Sequence, residues 1–249
     1  MLDYYLLSIK RPFKDTTNVI LTSGLPVALY IIFGAAQDYQ GVTLKGGNVE
    51  AYILIGLALY GGVVAAVNTA GSAVVDQNSG WGRMMATTPL RLRHYIAAQI
   101  CTIFAFTMLP VAAVLATGYM LGARMDEWIL TFFVTVAVAV PFGFYGLLWA
   151  SFLPSSTSIT IATTSIVLLA FLGNLFMPMP EAIVRWGEWT PMFGSGVLAR
   201  YFVAEGSQFT QDAGLMTTSL ALAFANFGIW TTILVTGCIY AATRDKNRA

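Results

Sequence analysis

Charged residues are scarce in this chain of 249 residues. Only 10% of the residues are Asp, Glu, Lys or Arg, and 57% are hydrophobic, whereas a soluble domain is about a quarter charged. This balance excludes a water-soluble fold. The formal net charge of +1 indicates neither a basic surface for nucleic acid nor an acidic, solvating tail.

Histidine and cysteine are scarcer still. His94 is the single histidine, and Cys101 and Cys238 both lie inside apolar runs, where a thiol behaves as a small hydrophobic group. No His or Cys pair has metal-ligand spacing, so we expect no metal and no cofactor in this chain. The Gly-Ser-Gly sequence at 194–196 could suggest the nucleophile of an intramembrane protease, but that chemistry needs a histidine base in the membrane. We therefore interpret this tripeptide as a turn and expect no enzyme activity.

Long hydrophobic segments are abundant. A helix that crosses the hydrocarbon core needs about 20 apolar residues. Six uncharged segments meet this requirement, and the stretch 128–180 must break near Pro154, where a Ser/Thr cluster can cap the next helix. The predicted fold class is an all-α membrane protein with six transmembrane helices, at residues 19–36, 51–75, 95–121, 128–153, 158–179 and 221–243.

Basic residues are distributed unevenly between the ends of these segments. The N-terminus, the loop at 76–94 and the C-terminus carry three Lys or Arg each, nine of the thirteen, and the other side has Lys45, Arg124, Arg185 and Arg200. Because basic loops stay in the cytoplasm, both termini are predicted to be cytoplasmic.

Residues 1–14 show apolar residues at helical spacing. This pattern is typical of an amphipathic helix on the inner leaflet, and Pro12 would then mark the bend into the membrane. A disordered leader is one alternative, and a signal peptide that is cut near Ala36 is another.

The loop at 76–94 is the longest predicted cytoplasmic segment. Trp81, Met84 and Met85 share one side of a possible short helix and are surrounded by arginines. Such an apolar knob suits a groove on a partner protein, or it anchors the loop to lipid headgroups; the residues alone leave both interpretations open. The chain has no Gly-x-x-x-x-Gly-Lys-Ser/Thr phosphate loop, so ATP would have to be hydrolysed by another subunit.

This loop resembles the first cytoplasmic loop of the ABC-2 type transporter permeases, which runs from charged residues through Gly-Trp or Gly-Thr and Arg to Thr-Pro-Leu. The departure lies at Gln77 and Asn78, where such permeases usually carry Arg or Glu. The matching residues are Gly80, Trp81, Arg83, Thr88, Pro89 and Leu90.

The resemblance implies a single transmembrane domain over residues 1–249 in a bacterial plasma (inner) membrane. It implies an interfacial helix at 1–14, a coupling helix in the cytoplasmic loop at 76–94 and an extracytoplasmic helical hairpin at 180–214, between helices five and six, that partly re-enters the outer leaflet. The aromatic residues of this last segment favour the membrane interface, and a plain extracellular loop is the alternative. The implied partners are an ABC ATPase subunit, which holds ATP and Mg, and a second copy or a homologous permease. The implied coupling residues are Gly80, Trp81, Arg83, Met84, Met85, Thr88, Pro89 and Leu90.

Aromatic residues, rather than charged ones, are available in the membrane segments to line a pathway. We therefore expect export of a hydrophobic or amphiphilic compound, such as a drug, an antibiotic or a lipid. The alternative role of asparagines in these segments is to form hydrogen bonds between helices. The alternative function of the whole chain is that of a substrate-binding membrane subunit or a secondary carrier. Candidate cavity residues are Asn68, Phe104, Phe142, Asn174, Phe176 and Asn226.

Overall fold

The structure is a computed structural model that describes residues 2–35, 43–77, 92–153, 155–212 and 214–246. Within these ranges the chain is mostly helical. The helices are α1 (Leu2–Lys14), α2 (Thr16–Ala35), α3 (Val49–Asp76), α4 (Leu92–Leu121), α5 (Trp128–Phe152), α6 (Ser156–Leu172), α7 (Glu181–Gly187), α8 (Pro191–Ala199), α9 (Tyr201–Ala204) and α10 (Leu220–Lys246). Two antiparallel strand pairs are β1 (Thr43–Leu44) with β2 (Gly47–Asn48), and β3 (Ser207–Thr210) with β4 (Gly214–Thr217).

Five helices in the described part of the chain are long and apolar enough to cross a membrane. They are α2, α3, α5, most of α4 and most of α10. The chain is therefore a multi-pass, all-α membrane protein, but the predicted count of six is not confirmed. The predicted segment 158–179 contains only α6, which has 17 residues. It ends at Leu172 because the chain turns at Gly173 and Asn174, and Asn174 has a left-handed φ of 57°.

The predicted break between the fourth and fifth segments is confirmed. α5 ends at Phe152 and α6 begins at Ser156, where the hydroxyl of Ser158 donates to the carbonyl of Ser155 at 2.7 Å. The predicted bend at Pro12 is wrong, because Pro12 lies inside α1. The helix is interrupted at Asp15 instead, whose carboxylate accepts a hydrogen bond from the Asn18 amide at 3.1 Å and caps α2.

α3 is the central helix of the bundle. Its residues from Val49 to Gly71 are buried almost without interruption, and it packs against α4, α5 and α6. A Cβ added at Gly146 of α5 would lie 2.2 Å from the carbonyl oxygen of Val67 on α3, so these two helices meet backbone to backbone. Only 22% of the apolar stretch of α2 and 11% of that of α10 are buried, which places both helices at the periphery of the chain.

The two ends of the bundle are built differently. We call the end with α1 and the C-terminus the inner end, following the predicted orientation, and the opposite end the outer end. At the inner end, the ring of Phe13 in α1 meets Phe106 of α4 edge-on, with 5.2 Å between ring centroids. At the outer end, the Asn48 side-chain oxygen accepts from the amides of Ala51 and Arg124 at 2.9 and 3.1 Å. This contact caps α3 and joins it to the turn between α4 and α5.

Candidate functional site

The predicted coupling residues lie outside the described residues, because the structure describes this loop only up to Gln77 and again from Leu92. They are Gly80, Trp81, Arg83, Met84, Met85, Thr88, Pro89 and Leu90, and their role stays a prediction. The structure does show what holds the start of the loop. The Arg11 guanidinium in α1 contacts the Asp76 carboxylate at 2.7 Å, and Asp76 is the last residue of α3. The N-terminal helix is therefore bonded to the point where the central helix enters the loop.

Four of the six predicted cavity residues, Asn68, Phe104, Phe142 and Phe176, fall at separate places in the described fold. Phe104 is 40% exposed on α4, and Asn68 is half-buried on α3. Phe142 is buried in a tight turn inside α5, and the Phe176 ring is buried edge-on against Tyr60, with 4.9 Å between centroids. The substrate role of these residues stays a prediction.

Asn226, another of the six predicted cavity residues, binds the protein itself. Its side-chain nitrogen donates to the carbonyls of Glu188 and Thr190 at 2.7 and 3.2 Å. Its side-chain oxygen accepts from the Gly194 amide at 3.1 Å. Asn226 on α10 therefore holds both arms of the hairpin that α7 and α8 form, which is the helix-bonding role that asparagine often takes in membrane bundles.

The tip of this hairpin, residues 188–190, lies well below the outer end of α10. The Trp230 indole nitrogen donates to the Trp189 carbonyl at 3.1 Å, and Trp230 is ten residues after Leu220, or about 15 Å along α10. The contact with α5 indicates the same depth. Pro191, at the start of α8, shares a shallow apolar cavity with Pro141 of α5, and Pro141 lies about 20 Å along α5 from its outer end. The tip therefore reaches the level of the middle of both helices.

Arg200, directly after α8, is the most buried charge of the described chain. Its side chain is 1% exposed. The guanidinium donates to three main-chain carbonyls, those of Tyr52, Asn174 and Leu175, at 2.9, 2.9 and 3.0 Å. It also lies 3.8 Å from the centroid of the Tyr52 ring, which is a cation–π contact. A Cβ at Gly56 would lie 2.1 Å from both this guanidinium and the Leu175 carbonyl oxygen, so only glycine fits there.

The charge of Arg200 has no carboxylate partner among the described residues. Two of its three acceptors follow the C-terminus of α6, where the helix dipole and the free carbonyls favour a cation. Desolvation lowers the pKa of Arg200, and the contact with Tyr52 opposes this shift. Arginine nevertheless stays charged in proteins, so Arg200 acts as a buried cationic cap on the short helix α6.

Further hydrogen bonds connect this cap to the β3–β4 hairpin. The Tyr52 hydroxyl donates to the Gln208 side-chain oxygen at 2.8 Å. The Asn174 side chain donates to the Phe209 carbonyl and accepts from the Met179 amide, both at 2.9 Å. Tyr52, Asn174, Arg200 and Gln208 form what we call the outer polar cluster. It joins α3, the end of α6, α8 and β3.

Sequence reasoning missed the outer polar cluster. Arg200 was predicted to be an ordinary external loop charge, and Asn174 a cavity residue. One signal was available, since Arg200 is the single charged residue between Glu188 and Glu205. An isolated charge in a long apolar run is expected to be buried with hydrogen-bond acceptors. The acceptors themselves are far away in sequence and could not be named.

The predicted turn at 194–196 is wrong. These residues lie inside α8, and the Ser195 side chain is fully buried, with its hydroxyl 3.4 Å from the Pro191 carbonyl in the preceding helical turn. Within the described residues, no group of three or more His, Cys, Asp or Glu could hold a metal ion. The groups that do converge are hydrogen bonders that position helices.

A multi-pass helical bundle with one buried central helix and a helical hairpin that dips in from one end is compatible with a membrane transport subunit. Comparison with known proteins defines the class more closely. The model of the ABC-2 type transporter family matches residues 5–194, which is 190 of the 249 residues. The chain belongs to this family, and the predicted resemblance is confirmed.

A curated relative supports the same assignment. The chain is 24% identical over 200 residues to a Bacillus subtilis (strain 168) protein named "Putative transport permease YvfS". The aligned part covers 77% of this chain and 81% of the relative. The family match ends at residue 194, so Arg200, Gln208 and Asn226 lie beyond it.

Proposed function

We propose that this chain is the permease subunit of an ATP-driven exporter that moves a hydrophobic or amphiphilic compound, such as a drug, an antibiotic or a lipid, out of a bacterial cell. ATP and Mg are bound by a separate ABC ATPase subunit, and two copies of the chain, or one copy and a homologous permease, surround the pathway. The family membership supports this proposal. The observation that carries the ATP-coupling step is the direct continuation of the central helix α3 into the loop with the Gly-Trp to Thr-Pro-Leu pattern.

The proposed coupling runs through α3. A partner that pushes on the loop would act first on Asp76, which Arg11 bonds to α1. Because α3 packs tightly against α4, α5 and α6, including the backbone contact at Gly146, it cannot move without them. Displacement of the loop would therefore shift the packed helices together and change the relative populations of inward-facing and outward-facing states.

The proposed orientation places α1 and both termini in the cytoplasm and the hairpin of α7 and α8 in the outer leaflet. The exposed rings of Trp186 and Trp189 fit a membrane-facing position. The predicted cavity residues Phe104 and Asn68 would face the second subunit, whereas Asn174 and Asn226 would support the pathway without touching the substrate, because their amides are occupied by protein partners.

The test is co-purification of the full-length chain with the ABC ATPase encoded nearest to it, followed by ATP turnover in proteoliposomes. Trp81→Ala and Arg83→Ala should reduce both ATPase binding and turnover. Arg124→Ala is the matched control, because it removes an exposed arginine at the outer end. An ATPase that neither binds the chain nor responds to the two loop variants would refute the coupling assignment.

A further inference from the structure

The two edges of the β3–β4 strand hairpin differ in what covers them. On the β3 side, the carbonyl of Phe209 accepts a hydrogen bond from the Asn174 side chain at 2.9 Å, so the outer polar cluster covers this edge. On the other side, β4 packs closely against β3 alone among the described elements. Leu215 is 50% exposed, and Thr217 is exposed as well. The far edge of β4 is therefore uncovered in a single chain, and we call it the free edge.

The register of the strand hairpin shows which groups lie along the free edge. In antiparallel strands, opposite residues alternate between pairs that exchange two hydrogen bonds and pairs that exchange none. Phe209 lies opposite Leu215, and because the Phe209 carbonyl is bonded on its other side, this pair is one without hydrogen bonds. The Thr218 amide donates to the Gly206 carbonyl at 3.1 Å, so the pair before it, which includes Thr217, is also one without hydrogen bonds. The amides and carbonyls of Leu215 and Thr217 therefore point outward at the free edge.

The sequence of β4 contains none of the residues that usually protect a free strand edge. Proteins place Lys, Pro or a covering element at such an edge, because its unpaired main-chain groups bind other strands. β4 reads Gly-Leu-Met-Thr, and no charged residue lies between Asp212 and Arg244. An exposed edge of this kind, with donors and acceptors side by side, is a docking surface for another extended strand.

We propose that β4 pairs with β4 of a second copy of this chain, antiparallel and in the register that places Leu215 of one copy opposite Thr217 of the other. In this register the two free amides and two free carbonyls of each strand find partners on the other strand. Met216 of each copy then meets its own equivalent at the two-fold axis. This inference rests on the proposed exporter function, which needs a second permease subunit, and it specifies a homodimer with an extracytoplasmic contact.

The placement of the strand hairpin fits two copies in one membrane. The two-fold axis between paired antiparallel strands is perpendicular to their sheet, and subunits that face the same way in a bilayer share an axis along the membrane normal. This pairing therefore requires a sheet that lies across the outer end of the bundle. The strand hairpin meets the requirement, since the buried side chain of Gln208 is bonded to Tyr52 in the first turn of α3. Leu215 and Thr217 lie on the opposite, exposed face of the sheet.

The test is disulfide crosslinking of single-cysteine variants of the full-length chain in isolated membranes, after Cys101→Ala and Cys238→Ala have removed the native thiols. Opposite residues in a pair without hydrogen bonds have Cα atoms about 4.5 Å apart, within the range of about 4.4–6.8 Å that a disulfide spans. On mild oxidation, Met216→Cys should therefore give a dimer of about twice the 26.9 kDa mass of one chain. Ser207→Cys on β3 is the matched control and should give no dimer, because the β3 strands of the two copies lie three strand spacings, or about 14 Å, apart.

Two double changes at exposed positions test the register in the Met216→Cys background. Leu215→Lys with Thr217→Lys sets two like-charge pairs across the axis and should lower the dimer yield on the order of tenfold. Leu215→Lys with Thr217→Glu changes the same two positions but sets opposite charges across the axis. This second variant should restore the yield.

The pairing of β4 is overturned if Met216→Cys gives no dimer, if Ser207→Cys gives as much, or if the two double variants give equal yields. A crosslinked product of any other mass would overturn the second copy in favour of a different protein at the free edge. If the pairing fails while the loop variants lower ATP turnover, the exporter function stands without this contact. If the dimer forms but no ATPase binds the chain, the contact stands and the exporter function falls.

Discussion

Replacement of Arg200 by methionine is the sharpest test of how the outer end is held together. Methionine has a similar length and fills the site without a large cavity, so the change isolates the guanidinium. The carbonyls of Asn174 and Leu175 lose their charged donor, and a buried polar group without a partner costs about 1–3 kcal/mol. The Tyr52 carbonyl keeps its bond within α3. The two carbonyls, less part of the desolvation cost that removal of a buried charge returns, give a net destabilisation of about 2–4 kcal/mol.

The measurement is thermal unfolding of the full-length chain in detergent, followed by tryptophan fluorescence. For a chain of this size, 2–4 kcal/mol corresponds to a fall in Tm of roughly 5–15 °C. Arg200→Lys should also lower Tm, because one ammonium cannot reach three carbonyls that are arranged for a planar fork. Arg185→Met is the control, since it removes an exposed arginine near the same hairpin and should leave Tm nearly unchanged. A Tm of Arg200→Met equal to that of the control would refute the role assigned to the outer polar cluster.

Three further predictions address the packing and the inner end. Gly146→Ala should destabilise the bundle by about 1–3 kcal/mol in thermal unfolding, because its Cβ would meet the Val67 backbone. Gly228→Ala is the control and should be tolerated, since a Cβ there has no atom within 4 Å. Equal effects of the two changes would contradict the close helix contact. Asn226→Asp keeps the acceptor for Gly194 but loses both donors, and should cost about 2 kcal/mol in the same assay; an unchanged Tm would remove Asn226 from the hairpin. Arg11→Asp should reduce permease-stimulated ATP turnover about twofold to fivefold, and the exchanged pair Arg11→Asp with Asp76→Arg should restore it; failure of the exchange to restore turnover would show that the ion pair is not what matters.

The membrane helices were predictable because their signals are local. A run of about 20 uncharged apolar residues has one stable arrangement in a bilayer, and Pro154 with the serines after it located the break between α5 and α6. The N-terminal helix was predictable for the same reason, although Asp15, rather than Pro12, ends it. The loop motif that identified the family is local as well.

The candidate sites were only partly predictable because they depend on contacts between distant segments. Asn226 and Asn174 were correctly singled out as polar residues in apolar segments, but the hairpin carbonyls and strand that bind them could not be read from spacing. The segment 158–179 was apolar enough for a sixth span, yet it turns at Asn174 because its freed backbone groups find other partners: the Arg200 guanidinium donates to the carbonyls of Asn174 and Leu175, and the Asn174 side chain accepts from the Met179 amide.

The bond between Arg200 and the Tyr52 carbonyl joins residues 148 positions apart, and this separation gives the assembly a time order. During synthesis, α3 and α6 enter the membrane before Arg200 leaves the ribosome, so the carbonyls of Asn174 and Leu175 after α6 gain their charged donor only when a later segment folds. The outer polar cluster can therefore form only when the chain is nearly complete. A chain that stops short of residue 200 would leave these carbonyls without their charged donor. Membrane quality control could then recognise an unfinished subunit by its unpaired backbone groups.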